Sequence, residues 1–395
     1  MLTEESILNL AKAEREYVTE AFRWLHRHPE TSHHEQKTNI YLRKELDKLG
    51  IFYHAPADNI TIAVIKSDNP GSTVGLRCDT DALPVCEETG LSYASENPGV
   101  MHACGHDAHM AVGLGSARIL QENKSAWCGT VKLIFQPAEE GENGSDQVIE
   151  TGLVDDVDVF FAIHVWSPYA SGMLHVSPVV VSAAVNMFTV RIIGKGGHGA
   201  APEKCADAVA AGACLVTALQ SVVSRAVSPM ESAVLTVGSF HAGTAGNIIA
   251  QDAELKGTIR TLKEETRQKV SAALESYAAH VAQMYGCRAE VNNIRVSDAV
   301  KNDERAAQIA EKCAVLLVGE KRVRGQKTMM LGDNFANYGR IAPYCYVQVG
   351  IADPKKHTDY AHHNSRFAVD EEVLPLCVAW MTSFAAACGA CWKDE

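Results

Sequence analysis

The sequence lacks a basic run, a secretion-type start and a long apolar stretch. Its 395 residues contain 36 Lys and Arg against 48 Asp and Glu, a formal net charge of −12. This balance disfavours nucleic-acid and anionic-membrane partners, because both need a basic patch. The first residues are acidic, unlike a secretory signal, and no apolar stretch approaches the roughly 18 residues of a membrane span. We therefore predict a cytoplasmic protein with neither partner.

The cysteines lack the arrangement of a disulfide framework. Twelve are scattered along the chain, and without a secretion signal reduced thiols are expected. Cys388 and Cys391 form a CxxC pair, but a single pair is a weak sign of metal or redox chemistry. Most of the other cysteines, such as Cys214, Cys313 and Cys377, lie in apolar helix-like stretches and are predicted to be small core residues.

Hydrophobic periodicity predicts an α/β domain. Apolar spacing of three and four indicates helices, and short apolar runs indicate buried strands. The predicted helices span 5–25, 35–49 and 109–121, and the strands span 60–65, 73–77, 131–135 and 159–163. Their alternation favours a mostly parallel sheet flanked by helices.

A different pattern of predicted strands and helices begins near residue 184. Strands at 185–193, 233–240 and 252–260 accompany two long helices, which predicts a compact α+β unit. After it, a helix at 303–318, a strand at 344–349 and a helix from Asp370 resume the first pattern. The simplest division is one domain of residues 1–183 and 295–395, interrupted by a smaller domain of residues 184–294.

Three of the sixteen histidines, His102, His106 and His109, fall within eight residues. Cys104 precedes His106 with one residue between them, close enough for both to bind one metal or neighbouring metals. Thiolate and imidazole together suit zinc and similar ions. A polar surface loop could contain the same residues, so this pair alone does not establish a metal site.

Further candidate ligands follow predicted strands. Glu139 and Glu140 come just after the strand at 131–135, and His164 ends the strand at 159–163. Ligands gather beyond the carboxyl ends of such strands, where one carboxylate can bind metal while the other moves a proton. Alternatively, the pair is a solvated acidic turn and His164 a core histidine. The pair His362-His363 is a fourth group.

In this ordered set the sequence resembles the metallo-aminoacylase and carboxypeptidase superfamily. The resemblance is to the branch of hippurate hydrolase, plant indole-acetyl-amino-acid hydrolases and N-acetyl-diaminopimelate deacetylase. Matching segments are residues 24–30 (WLHRHPE), 77–84 (RCDTDALP), 104–106 (CGH), 136–141 (QPAEEG), 164–166 (HVW), 194–199 (GKGGHG), 243–249 (GTAGNII) and 257–260 (GTIR). They cover nearly the whole chain in order.

The resemblance implies a metal-dependent amidohydrolase acting on N-acyl amino acids or similar small amides. It implies that two divalent ions, Zn, Mn, Co or Ni, are bound by five residues: Cys104, His106, Glu140, His164 and His363. Glu139 would be the general base, activating a water whose pKa the metals lower. A dipeptidase or carboxypeptidase of the same superfamily is the alternative function.

The smaller domain is implied to be a lid and to form a homodimer. His198 would stabilise the oxyanion, and Asn247 and Arg260 would anchor the substrate. On the residues alone, His198 could be a turn histidine and Arg260 a surface ion-pair partner. Asp79 and Asp81 are expected to orient the metal ligands without binding metal, as are His102 and His109 if they do not simply pack.

Two positions depart from the resemblance. Ser365 replaces a proline that usually ends the His363 motif, which leaves His362 possible as the ligand. Asp333 and Asn334 stand where relatives have a Glu-Asp pair, which puts activity level or metal preference in doubt. Two other readings stay open: a hydrolase with Cys104 as nucleophile, and a non-catalytic metal-binding relative.

Overall fold

The computed structural model describes residues 2–141 and 143–392. Within these segments the α-helices are α1 (Glu4–Ala13), α2 (Arg15–Arg27), α3 (Gln36–Lys48), α4 (His106–Glu122), α5 (Gly144–Glu150), α6 (Ala208–Ser221), α7 (Glu264–Met284), α8 (Glu304–Val318) and α9 (Leu374–Cys391). The strands are β1 (Phe52–Ala57), β2 (Ile60–Lys66), β3 (Asn69–Asp79), β4 (Cys128–Gln136), β5 (Val159–Ala170), β6 (Leu174–His175), β7 (Val180–Ser182), β8 (Ala184–Ile193), β9 (Gly197–His198), β10 (Ala233–Ala242), β11 (Ile248–Ile249), β12 (Asp252–Thr261), β13 (Arg288–Ser297), β14 (Val300–Lys301), β15 (Val323–Arg324) and β16 (Tyr344–Ala352).

The chain forms two compact units. The first comprises residues 1–179, 301–327 and 337–395, and the second comprises 180–300 and 328–336. The domain boundaries expected from sequence, 184 and 294, lie inside the second unit. Residues 328–336, which the sequence assigned to the larger domain, pack with the second unit.

The first unit contains an eight-stranded sheet in the order β1-β2-β4-β3-β5-β16-β6-β15. Its centre is parallel, because β3 runs parallel to both β4 and β5, and β16 runs parallel to β5. The edge pairs β1-β2 and β2-β4 are antiparallel. The prediction of a mainly parallel sheet flanked by helices is confirmed. Parallel central strands bring their carboxyl ends to one edge of the sheet.

Helices α4 and α9 pack on this sheet. In α9 the ring of Phe384 stacks on Phe161 of β5 with centroids 4.2 Å apart, and the indole nitrogen of Trp380 donates to the Ala310 carbonyl at 2.8 Å. Burying aromatic rings of this size contributes roughly 3–5 kcal/mol each, judged by the usual cost of truncation to alanine. The core of the first unit therefore lies between these helices and the sheet.

Two helical stretches, Ala208–Ala226 and Glu371–Cys391, are long and apolar enough to cross a membrane by length and composition alone. The expectation that no stretch approaches this length is therefore wrong. The second stretch includes α9 and has 78% of its apolar window buried inside the protein. A helix buried on all sides is apolar on all sides, which explains the composition of α9. The first stretch, which includes α6, is 33% buried.

The second unit is an antiparallel sheet in the order β10-β12-β8-β13, covered by α6 and α7. Strand β8 alternates buried and more exposed residues, as expected when one face of a sheet packs on helices. Val190 and Ile192 of β8 join Leu215 of α6 and Leu274 of α7 in the core. Helix α6 begins after Asp207, whose carboxylate accepts the amides of Val209 and Ala210.

Candidate metal centre

The candidate centre lies at the carboxyl edge of the parallel strands. Strand β3 ends at Asp79, whose register partner in β4 is Gln136, and His164 lies in β5. Helix α4 begins at His106 directly after Gly105, which has a φ of 89°. A Cβ at Gly105 would lie 2.3 Å from Val165, so glycine alone permits this entry into the helix. The loop before α4 thereby brings Cys104 close to His164.

Cys104, His106 and His164 form a buried donor group. The Cys104 Sγ lies 3.6 Å from the His164 Nε2, and one donor atom of each of the three residues lies within 4.8 Å of the others. Sulfur and imidazole nitrogen at this spacing fit a zinc-like divalent ion.

Backbone carbonyls fix the orientation of both imidazoles. The Nδ1 of His106 donates to the Asp81 carbonyl at 2.8 Å, and the Nδ1 of His164 donates to the Val165 carbonyl at 2.6 Å. Each ring therefore keeps its Nε2 lone pair for another partner. The buried Nε2 of His106 makes no hydrogen bond to any described residue. An imidazole held through one nitrogen with the other available is the usual arrangement of a metal ligand, so these residues fit a divalent ion.

A second donor group shares the same thiol. Cys104, Glu140 and His363 offer donor atoms within 4.8 Å of one another, and so do His106, Glu139 and Glu140. The His363 Nε2 lies 3.0 Å from Glu140 Oε1, and this contact raises the pKa of His363. Overlapping groups of this kind provide donors for two neighbouring ions.

The two adjacent histidines differ in their contacts. His363 has a positive φ of 64°, and its amide donates to the Ala103 carbonyl at 2.8 Å. His362 instead packs against Trp166, with centroids 4.6 Å apart, and its Nε2 accepts the Ser167 amide at 3.3 Å. Burial lowers the pKa of His362 to about 3. His363 belongs to a donor group, with Cys104 and Glu140, whereas His362 belongs to none among the described residues, so His363 is better placed to bind a metal.

Asp81 holds the backbone of the carboxylate pair. Its two oxygens accept the amides of Glu139 and Glu140, each at 2.9 Å, and Ser32 Oγ donates to the same carboxylate at 2.6 Å. Burial raises the pKa of Asp81, but hydrogen bonds, the largest from His106, outweigh burial and lower it. Asp81 thus contacts both the Glu139-Glu140 backbone and His106.

Asp79 and His109 contact each other beside the other two groups, and together with His106 they offer donor atoms within 4.8 Å of one another. The His109 Nδ1 donates to Asp79 Oδ1 at 2.6 Å, and its Nε2 accepts the Val165 amide at 3.0 Å, so both ring nitrogens are used within the protein. Arg77 contacts the other oxygen of Asp79. Burial would raise the pKa of Asp79, but Arg77 and the neighbouring histidines hold it well below its usual value. His102 is buried, which lowers its pKa to about 4.

The other expected site residues lie in the second unit. His198 is exposed in β9 and pairs in register with Ile248, and the amide of Gly199 donates to the Asn247 carbonyl at 2.9 Å. His198 and Asn247 are thus close in the fold. Arg260 lies on β12, donates to the Met330 carbonyl at 3.0 Å and has its pKa lowered by burial.

The two positions at which the sequence departs from the family resemblance, at Ser365 and at Asp333, make local contacts. Ser365 Oγ donates to Glu88 Oε2 at 2.8 Å, and the Glu88 amide donates to the Ser365 carbonyl at 2.8 Å, so the serine ties the His363 loop to the segment around Glu88. Asp333 Oδ1 accepts the Phe335 amide at 2.8 Å, which caps the short helical turn of residues 334–340.

Three supporting residues were missed by reasoning from the sequence. Ser32 contacts Asp81 as described, Glu35 accepts the Ala138 amide at 2.8 Å, and the His26 Nδ1 donates to Asp107 at 2.7 Å. Ser32 and Glu35 follow the segment of residues 24–30 (WLHRHPE), and His26 lies within it. The density of polar residues between 26 and 39 is the signal that could have identified this segment.

A cluster of thiol, imidazole and carboxylate donors at the carboxyl edge of a mainly parallel sheet is typical of metallohydrolases. Residues 75–387 match the family described as Peptidase family M20/M25/M40. The chain belongs to this family, which confirms the family resemblance inferred from its motifs.

Individual relatives cover most of the chain. It is 34% identical to thermostable carboxypeptidase 1 of Saccharolobus solfataricus, over 94% of this chain and 95% of the relative. It is 40% identical to an N-acyl-L-amino acid amidohydrolase of Geobacillus stearothermophilus, over 73% and 79%. The YXEP protein of Bacillus subtilis, described as a dinuclear metal binding peptidase from the M20 family, superposes with a TM-score of 0.82 at 31% identity, over 96% and 99%.

Proposed function

We propose that the protein hydrolyses the amide bond of N-acyl amino acids, using two divalent metal ions. The observation that carries this proposal is the joint placement of Glu139 and Glu140. Both amides are held by Asp81, while both side chains belong to a donor group with His106. The 40% identity to an N-acyl-L-amino acid amidohydrolase supports this substrate class.

The proposed metal ligands are Cys104, His106, Glu140, His164 and His363. Zinc, manganese, cobalt and nickel all accept this mixture of donors. Ions held there would supply a Lewis acid for the substrate carbonyl and would lower the pKa of water towards ~7. Asp79, Asp81 and His109 orient the ligands by the contacts described above.

Glu139 is the proposed general base. Its carboxylate takes a proton from the attacking water and delivers it to the amide nitrogen of the leaving amino acid. The neighbouring Glu140 is committed to His363 and the donor group, so the two adjacent carboxylates have separate tasks. Simple metal storage needs no base beside the ligands, which disfavours a non-catalytic role.

The second unit supplies the remaining proposed roles. His198 would donate to the oxyanion, and Asn247 and Arg260 would anchor the carboxylate of the amino acid, which a guanidinium binds in bidentate fashion. Residues 184–294 would act as a lid and as the contact of a homodimer. A cytoplasmic location fits twelve cysteines that are all unpaired with one another.

Carboxypeptidase activity is the second candidate, favoured by the 34% identity to thermostable carboxypeptidase 1. A Cys104 nucleophile is disfavoured because burial raises the pKa of this thiol well above its usual value, whereas reactive cysteines have lowered pKa values.

A substrate screen tests the proposal. N-acetyl, N-benzoyl and long-chain acyl amino acids and short peptides are assayed with added Mn²⁺ or Zn²⁺, and again after chelation. We expect N-acyl amino acids to be cleaved and chelation to abolish cleavage. Faster cleavage of peptides would instead establish the carboxypeptidase alternative. Full activity after complete metal removal, with loss on thiol alkylation, would establish the cysteine nucleophile.

A further inference from the structure

Glu35 is a fully buried carboxylate that the proposed mechanism does not use. It directly precedes α3 but does not cap that helix with its side chain. Burying a carboxylate is costly unless its oxygens are hydrogen-bonded, and burial raises the pKa of Glu35. Its hydrogen bonds should therefore show what it does in the fold.

One oxygen of Glu35 reaches the carboxylate turn, which we define as residues 137–141. Glu35 Oε1 accepts the Ala138 amide at 2.8 Å across 103 positions of sequence. Ala138 has a positive φ of 48°, a left-handed conformation that costs an L-residue roughly 1–2 kcal/mol. A surrounding contact must hold such a conformation in place, and Glu35 supplies one directly.

The next two amides of the turn bind the carboxylate of Asp81. Three successive amides, those of Ala138, Glu139 and Glu140, therefore donate to two buried carboxylates. This pattern fixes the peptide planes on both sides of Glu139, and with them the direction of its side chain. Hydrogen bonds to charged acceptors are roughly twice as strong as neutral ones.

The far side of Glu35 is anchored in a buried polar network. Asn59 Nδ2 donates to Glu35 Oε2 at 3.3 Å, and Asn39 Nδ2 donates to the carbonyls of Glu35 and Asn59, both at 3.0 Å. Thr61 Oγ1 donates to Asn39 Oδ1 at 2.7 Å. Satisfied networks of this kind are rigid, so Glu35 is held in place from behind.

We infer that Glu35 is a positioning residue that sets the orientation of Glu139 through the Ala138 amide, an inference that rests on the proposed role of Glu139. Gln at position 35 keeps an oxygen that can accept the Ala138 amide. Met has a similar size and no such acceptor. The pair Glu35→Gln and Glu35→Met therefore separates the hydrogen bond from the volume of the side chain.

Glu45, within α3, offers a matched control. It is another buried carboxylate, and its Oε1 accepts from Lys48 Nζ at 2.6 Å. Glu45→Met removes a buried carboxylate of α3 whose hydrogen bond with Lys48 lies away from the carboxylate turn. It measures the general effect of such a loss on the helix.

The experiment combines amide hydrogen exchange of the metal-free protein with kinetics of the metal-loaded protein. In Glu35→Met we expect exchange in residues 138–140 to be ~10-fold faster or more. We expect kcat to fall by ~10- to 100-fold, with KM within about twofold and metal content unchanged. Glu35→Gln, which keeps a neutral acceptor, should lose much less than Glu35→Met in both measurements, and Glu45→Met should resemble the wild type.

Wild-type exchange and kcat in Glu35→Met would overturn the inference. Two other results would also overturn it: losses of protection and kcat in Glu35→Gln equal to those in Glu35→Met, or equally fast exchange of residues 138–140 in Glu45→Met. If the wild type hydrolyses no amide, the proposed function fails, while the exchange measurements still test whether Glu35 holds the turn.

Discussion

At the scale of single residues, the partners of the ring nitrogens differ between the proposed ligands and the proposed supports. His106 and His164 each donate Nδ1 to a backbone carbonyl, and the Nε2 of His164 faces another proposed ligand, Cys104 Sγ, at 3.6 Å. The two nitrogens of His109 are instead bound to Asp79 and to the Val165 amide. The residue type is the same in all three. The partner of the second nitrogen is what distinguishes a proposed ligand from a residue proposed to orient it.

His363 and His362 provide a matched pair for this distinction. His363→Ala removes a proposed ligand, so we expect metal affinity to fall by more than the ~10- to 100-fold typical of losing a supporting residue. His362→Phe keeps a ring against Trp166 and should retain both ions. Metal titration followed by calorimetry measures both variants. Equal affinity in His363→Ala and the wild type would exclude His363 as a ligand.

Sequence motifs were sufficient to nominate the candidate ligands, because their residue types and spacing carry the chemistry. The residues that contact and position these ligands were harder to predict from the sequence. Ser32 meets Asp81 across 49 positions and Glu35 meets Ala138 across 103, and such pairs form only when β3, β4 and α3 are assembled. No local pattern specifies contacts of this kind.

At the scale of elements, a buried ion pair ties α2 to the start of α4. The His26 Nδ1 contacts Asp107 at 2.7 Å, and its Nε2 contacts Glu87 at 3.2 Å. Burial lowers the pKa of His26, but these two carboxylates outweigh it and raise the pKa to about 9. Because Asp107 directly follows His106, the pair also fixes the helix turn that carries a proposed ligand.

This pair makes stability depend on pH. The pKa of His26 rises from 6.5 when unfolded to about 9 when folded, so its contribution is complete below pH ~6.5 and is lost as the pH rises through 9. We expect the melting temperature to fall between pH 7 and pH 10. The fall should be shallower in His26→Gln, which is itself destabilised by roughly 3–5 kcal/mol. Thermal unfolding measured across this pH range checks the prediction. Melting temperatures that fall equally with pH in the wild type and in His26→Gln would contradict it.

Element types were largely predictable, because buried strands and amphipathic helices leave strong periodic patterns. The helix predicted over 5–25 is in fact two, α1 and α2, separated at Glu14, and a one-residue break leaves that periodicity intact. Strand β1 was missed. It is an exposed edge strand that contains Pro56, and edge strands tolerate proline while lacking the apolar run that marks buried strands.

At the scale of the whole molecule, metal binding should be linked to folding. The donors come from β5, from α4 with the loop before it, and from loops near residues 140 and 363, so they are assembled only in the folded chain. A metal at ~100 times its Kd then adds roughly 2.7 kcal/mol to the free energy of unfolding. We expect Mn²⁺ or Zn²⁺ to raise the melting temperature of chelator-treated protein, measured by scanning calorimetry.

A smaller metal-induced shift in His363→Ala is the control for this linkage. An unchanged melting temperature of the wild-type protein at saturating metal would mean that the donor groups do not form a site in the folded chain.

The most direct test of the account measures metal content and amide hydrolysis together in Glu139→Gln. A general base contributes ~10²- to 10⁴-fold to the rate, so we predict two ions per chain and a loss of hydrolysis of that size. Glu140→Gln serves as the comparison and should lose metal as well as activity. Full hydrolysis by metal-loaded Glu139→Gln would contradict the central claim that Glu139 is the base of a metal-dependent amidohydrolase.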